Sequence, residues 1–406
     1  MSRGLGDVYK RQMEQQAFYY CSQLSKVTFA EGNDSNGLIL TGGVYGSQYG
    51  TSYYPVFDRC DNLTQIAFPK RLETLGAYAL CSTNISQITF SEGGLLTEIG
   101  QYALSMSGIS SVVIPASVVT IGDYAFSRCT KLTSVTFAAD GALEIINSGV
   151  FQYTGVNSVV IPANVTRIGN TAFAYSSLKS VTFAEGSVCS SIGYAAFRDS
   201  LIESIAIPAS VENIGEDIPA AGGPLHGYAF DGCRNLKSLT FDTGSKLKNI
   251  YNYAFRNTAL TKFSFPSSEN EITVAKQLFF GCNSLKEIYV SESVLSNLDQ
   301  ALMAAPVLEK VEIAATNESY GVDSELPLIS TPSGNSIIYF FTALDGKNTE
   351  VVIPEGTLYI EAGAFKNQVY LTKVTIPSSV LEIGQGAFQN LSLIHISEPT
   401  RHSLIS

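Results

Sequence analysis

The chain has 406 residues, of which 45% are hydrophobic and only 15% charged, enough apolar material for a continuous core and too little charge for a disordered chain. Lys and Arg total 25 against 36 Asp and Glu, a net charge of −11 with no basic run interleaved with aromatics, so nucleic acid is not an expected partner. No stretch of about 18 apolar residues occurs, so no membrane-inserted helix is expected.

The opening segment MSRGLGDVYKRQ (1–12) lies outside the pattern that fills the rest, as does LSLIHISEPTRHSLIS (391–406) at the other end. Both resemble peptides translated from sequencing-adapter read-through and are set apart as non-native. Met13 stands five residues before Phe18, the offset of Ile121 from Phe126, so the pattern is placed at 13–390 and the chain is expected to be a piece of a longer protein.

Within 13–390 a phrase of 22 to 25 residues recurs, clearest in SVVIPASVVTIGDYAFSRCTKLTSVTF (111–137) and SVVIPANVTRIGNTAFAYSSLKSVTF (158–183). Aligning on the aromatic of Tyr-Ala-Phe gives anchors such as Phe126, Phe173, Phe197, Phe230 and Phe255. Leu132, Val135 and Phe137 follow L-x-x-V-x-F, which predicts one short strand per unit with Val135 and Phe137 inward and Ser134 and Thr136 outward. Pro115 and Pro162 lack an N–H and end that strand. Gly122 and Gly169 follow an Ile at a position expected to need positive φ or close backbone approach; Asn147, which replaces the Gly in one unit, tolerates the left-handed region, and the requirement is expected to be relaxed at Tyr251. The Tyr-Ala-Phe segment has room for about one helical turn. A unit with one strand cannot bury its own apolar face, so successive units are expected to stack as a solenoid.

The phrases IPASVVTIGDYAFSRCTKLTSVTF and AFYYCSQLSKVTFAEG resemble BspA-type leucine-rich repeats, related to the treponemal class, over roughly residues 13–390. SGNSIIYFFTALDGKNTEVVIPEG (333–356) resembles the hairpin-like interruption that such proteins often carry. The resemblance implies a repeat solenoid: a right-handed leucine-rich-repeat superhelix with a parallel β-sheet on one face and short helical or irregular turns on the other. It also implies a secreted or cell-surface location and, as in several members, adhesion to host matrix or plasma proteins.

Seven cysteines admit a disulfide or metal reading, yet Cys21, Cys60, Cys129, Cys233 and Cys282 all stand three residues after an anchor. Other units carry Thr154, Ser176, Ser200 and Thr258 there, so Cys129 and Cys233 are assigned to packing in a small, weakly polar site. There is no C-x-x-C spacing, and His226 is the one histidine outside the set-apart tail. No metal, cofactor or catalytic base is therefore expected, and the chain is read as a non-enzyme. EGNDSNG (31–37) lacks the Glu that a calcium loop requires and reads as a turn.

The outward strand residues are small and monotonous, as in Ser134/Thr136, Ser158/Val160 and Ser180/Thr182, but change to Glu287/Tyr289 and Lys310/Glu312 further on. Tyr289 is thus one candidate ligand contact. Anchor spacing grows to 39, 33 and 63 residues at three places, which sets insertions near 38–54, 216–227 and 314–350. The first brings Tyr45, Tyr49, Tyr53 and Tyr54 together with Gly and Ser, a composition used by binding loops, with a tolerated surface loop as the alternative. The stretch 303–350 is expected to hold a degenerate coil and a hairpin, with a separate domain as the alternative. The expected function is non-catalytic binding of host or cell-surface proteins or glycans, the alternative being a structural spacer that projects another domain.

Overall fold

The computed structural model describes residues 11–30, 37–47, 50–216, 227–302, 305, 308–322, 328–340, 350–366, 368–391 and 395–397. It divides into two compact units, 1–210 and 211–406, each a parallel β-solenoid.

Each coil of the first unit carries two strands where the sequence pointed to one. The longer is the L-x-x-V-x-F strand: Ser158–Ile161 pairs parallel with Ser180–Phe183, joining Val159 to Val181, and Ser111–Ile114 pairs with Ser134–Phe137 in the same way. The second is two residues long and holds the Ile of Ile-Gly, as in Thr120–Ile121 against Glu98–Ile99. Two residues are too few for an alternation to register, which is why the sequence concealed it.

Tyr-Ala-Phe is not a helical turn. Residues two before and two after the anchor take positive φ, 58° at Tyr124 and 60° at Arg128 around Phe126. The N–H groups of Tyr124, Phe126 and Arg128 then donate to the carbonyls of Ser148, Val150 and Gln152 in the next coil at 2.8, 3.0 and 2.8 Å. Between them, Ala125 and Cys129 close turns onto the Gly122 and Phe126 carbonyls at 3.2 and 3.3 Å. A helix would have spent every N–H inside its own coil. Here alternate N–H groups bond forward, and that third ladder offsets the roughly 1–2 kcal/mol cost of each left-handed residue.

At Gly122 and Gly169 the choice left open is resolved as close approach, whereas Gly215 after Ile214 takes a φ of 87°. A Cβ on Gly122 would come within 2.5 Å of the Gln101 backbone nitrogen, and one on Gly169 within 2.8 Å of the Asn147 carbonyl carbon, while neither glycine has positive φ. The core is a column of rings: Phe126, Phe151, Phe173 and Phe197 are fully buried and stack at 5.4, 5.3 and 5.6 Å.

Leu38–Leu40 pairs with Arg11–Met13 on one side and Leu72–Leu75 on the other, so it belongs to the ladder and the first insertion starts after it. That insertion is an antiparallel hairpin, Gly43–Ser47 with Gly50–Tyr54.

In the second unit Lys262–Ser264, Glu287–Val290 and Lys310–Ile313 form one parallel ladder, and Asn249–Ile250, Ile272–Val274 and Val294–Ser296 another. Phe230, Phe255 and Phe279 continue the ring motif at 5.8 and 5.9 Å. Leu298–Leu302 is the one α-helix among the described residues. Leu328–Ser330 and Ser336–Phe340 make a hairpin that starts ahead of the 333–356 phrase, while Glu350–Val352 pairs with Lys373–Thr375 instead; Ser336–Phe340 also pairs parallel with Tyr359–Ile360, which merges the insertion into the stack.

Both set-apart ends reach the ladders: Arg11 and Gln12 pair with Leu38 and Ile39, and His395–Ser397 pairs with Lys373–Thr375. An open ladder edge presents unpaired N–H and C=O groups to any extended tripeptide, so strand pairing extends past the repeat pattern. Residues 217–226, with His226, and residues 31–36 lie outside the described residues.

Candidate functional site

The outward face of the first unit is built by strand alternation and register. Ser111 stands opposite Ser134, Val113 opposite Thr136, Ser158 opposite Ser180 and Val160 opposite Thr182. Val113 and Val160 are 60% and 58% exposed, while their inward neighbours Val112 and Val159 are buried. A trough of about 750 Å³ runs across this face, lined by Ser134, Thr136, Ser158, Val160, Pro162, Ser180 and Thr182 among others, with Asp140 as its one charged side chain. Hydroxyls and apolar groups dominate, so the face offers van der Waals area and hydrogen bonds but little charge.

The corresponding rows in the second unit are charged. Lys262, Glu287 and Lys310 align in register, as do Ser264, Tyr289 and Glu312. Lys310 ion-pairs with Glu312 and Lys286 with Glu309, and in each case the carboxylate hydrogen bond pushes the lysine above its ordinary pKa. Tyr289, 37% exposed, sits within these rows.

Of the four loop tyrosines, Tyr53 is built into the coil packing. Tyr53 stacks on Tyr78 at 5.7 Å, and the column continues through Tyr102 and Tyr124 at 5.2 and 5.0 Å. Burial is the main cause that raises the Tyr78 and Tyr102 phenols. Tyr53 therefore fastens the hairpin to the coils. Tyr54, half-buried and adjacent in the strand, points to the opposite face. Tyr45 lies in the other hairpin strand opposite Ser52, and Tyr49 is outside the described residues.

The cysteines are packed donors. The thiols of Cys60, Cys129 and Cys282 reach back one coil to the anchor carbonyls of Phe18, Leu104 and Phe255 at 3.1, 3.0 and 3.0 Å. Hydroxyls at the same position, shorter by virtue of the C–O bond, turn to their own anchor: Thr154 to Phe151 at 2.8 Å and Ser176 to Phe173 at 2.7 Å. Burial pushes the thiols of Cys81, Cys129 and Cys189 up to about 11, which removes the thiolate that reactivity and metal binding require. Cys233 is fully buried at the same offset, and no disulfide joins any of the seven cysteines.

Sequence reasoning missed a second aromatic column, two residues after the anchor. Tyr153 stacks on Tyr175 at 4.7 Å with a 6° interplanar angle, Arg128 lies 4.9 Å over Tyr153, and Arg198 lies 5.9 Å over Tyr175. In the second unit Arg256 covers Tyr228 and Tyr253 at 4.9 and 5.3 Å and holds Asp231 through two 2.7 Å hydrogen bonds. Reading the residue after each Phe-x in register would have exposed the first of these.

Parallel coils with buried phenylalanine columns, inward Val and Leu and hydroxyl-bearing outward faces define a leucine-rich-repeat solenoid. Six copies of the BspA type leucine rich repeat region match at residues 52–176, 144–221, 217–324 and 338–406, and the chain belongs to that family. Among solved structures it is similar to a leucine-rich repeat protein from Bacteroides ovatus, at 16% identity and a TM-score of 0.54, covering 96% of this chain and 88% of that one. A leucine rich cell surface protein from Faecalibacterium prausnitzii matches at 23% identity and a TM-score of 0.41, covering 75% and 65%. The pneumococcal vaccine antigen PcpA matches at 16% and 0.47, covering 96% and 92%. No curated protein matches the chain.

Proposed function

We propose that this protein is a non-catalytic, extracellular or cell-surface binding protein that engages host or cell-surface proteins or glycans through its outward sheet face and inserted hairpins. The observation that supports this most is the trough in the first unit. Val160 lines it at 58% exposure, where a solenoid that served only as a rod would gain solubility from charge. The nucleophile candidates point away from chemistry: the buried thiols donate to backbone carbonyls and are held protonated. The family likeness is consistent with a surface location.

A spacer role is the second reading, favoured by the uniform hydroxyl rows Ser158↔Ser180 and Ser180↔Ser204. Biolayer interferometry of the full chain against purified extracellular-matrix and plasma proteins separates the two. Capture that is lost in Val160→Glu, a change at an exposed site, supports binding through the sheet face. Absence of capture by any of them supports the spacer.

A further inference from the structure

We propose that the turn edge of the first unit, at Arg128, Tyr153, Tyr175 and Arg198, is a docking surface for an extended acidic segment of a protein partner; the inference rests on the binding reading above and names a different surface for it. The residue types are those that dominate tight interfaces, in contrast with the Ser, Thr and Val of the sheet face. Their placement is fixed in advance. Arg128, Tyr153 and Tyr175 have φ of 60°, 56° and 58°, and their N–H groups bond the next coil at Gln152, Ala174 and Arg198 at 2.8, 3.0 and 2.7 Å. Side chains set on so rigid a backbone and stacked on one another lose little further freedom when a partner arrives.

Charge sets the partner's sign. Arg128 is exposed, and its guanidinium has the Tyr153 ring but no carboxylate as a partner among the described residues. Arg198 has Asp199 at 3.4 Å on a side chain that is 30% exposed. In a chain of net charge −11 Arg128, left on an aromatic face, is the cation available to an incoming carboxylate.

Ring geometry favours peptide over sugar. The faces of Tyr153 and Tyr175 are taken by each other and by the two arginines, so no face remains for a sugar ring. The two side chains keep 36% and 37% exposure, and the Tyr153 hydroxyl can donate. The guanidiniums are three coil steps apart, about 15 Å. Acidic side chains at i and i+4 of an extended strand lie on one side about 13 Å apart, within reach of both.

The test is fluorescence anisotropy of the full chain at low ionic strength with a labelled poly-glutamate peptide long enough to span both arginines. Poly-glutamine serves as neutral control and polygalacturonate as the anionic glycan. The expected result is poly-glutamate binding that weakens about tenfold in Arg128→Gln, partly recovers in Arg128→Lys and falls with salt, at unchanged circular dichroism. Equal binding by Arg128→Gln/Arg198→Gln, or binding of polygalacturonate but not of the peptide, overturns the proposal. Val160→Glu is run beside it against matrix and plasma proteins. Capture lost there while poly-glutamate ignores the arginines removes the edge and keeps the sheet face; poly-glutamate binding that depends on Arg128 with no matrix or plasma capture does the reverse.

Discussion

The thiol of Cys129 donates to the carbonyl of Leu104 one coil earlier, at 3.0 Å, and so ties two coils through a side chain the sequence presents as filler. Ser107 Oγ lies 3.4 Å from the same sulfur. Cys129→Ser is expected to cost no more than about 1 kcal/mol, because a hydroxyl there can turn to the carbonyl of Phe126 as Thr154 does to Phe151. Cys129→Leu overfills the site and is expected to cost about 1–3 kcal/mol. Urea unfolding midpoints of the two variants check the order.

Alkaline pH is expected to destabilise the fold through the same residues. Burial holds Cys81, Cys129 and Cys189 at about 11 against the ordinary 9.0, so each favours folding fully below pH 9 and loses that contribution as pH rises through 11. Thermal melts between pH 8 and 11 should show a falling midpoint. At pH 8 a thiol reagent should modify half-exposed Cys21 first and the six buried cysteines only after urea is added.

Arg256 covers a carboxylate that has no route to water. The Asp231 side chain is 2% exposed and that of Arg256 26%. Arg256→Gln is expected to cost about 3 kcal/mol by leaving Asp231 buried without its cation. Because Ser127 and Gln152 occupy the equivalent sites in the first unit, Asp231→Ser/Arg256→Gln should regain most of that loss, as a double-mutant cycle by thermal denaturation would report.

Close coil approach makes some glycines irreplaceable and leaves others incidental. Gly122→Ala and Gly169→Ala would press a methyl onto the neighbouring coil's backbone at 2.5 and 2.8 Å, and about 1–3 kcal/mol of destabilisation is expected for each. Gly244, with φ of 75° and nothing within 4 Å of where a methyl would stand, should lose only about 1 kcal/mol on change to Ala. Chemical denaturation of the three variants tests the contrast.

What could be read from the sequence was whatever the core repeats. Val135 and Phe137 alternate with Ser134 and Thr136 over enough residues to announce a strand, and Phe126 and Cys129 keep fixed offsets because each must sit on its counterpart in the next coil. The two-residue strand at Ile121 is too short for any period. The left-handed turn residues were hidden for a different reason: Tyr124, Arg128 and Tyr153 are types that avoid positive φ in isolation, and only the backbone bonds to the next coil make it favourable. Tyr53 showed the converse. Its composition suggested a free contact, but stacking on Tyr78 depends on which coil the hairpin leans against, which spacing along the chain does not encode.

The phenol columns also give the protein an optical signature. With 21 tyrosines and no tryptophan, its ultraviolet emission comes from tyrosine alone, and rings stacked as closely as Tyr153 on Tyr175 exchange excitation before they emit. Parting two neighbouring coils breaks that exchange at one rung, so the opening of a coil raises the polarisation of the emission without any added label.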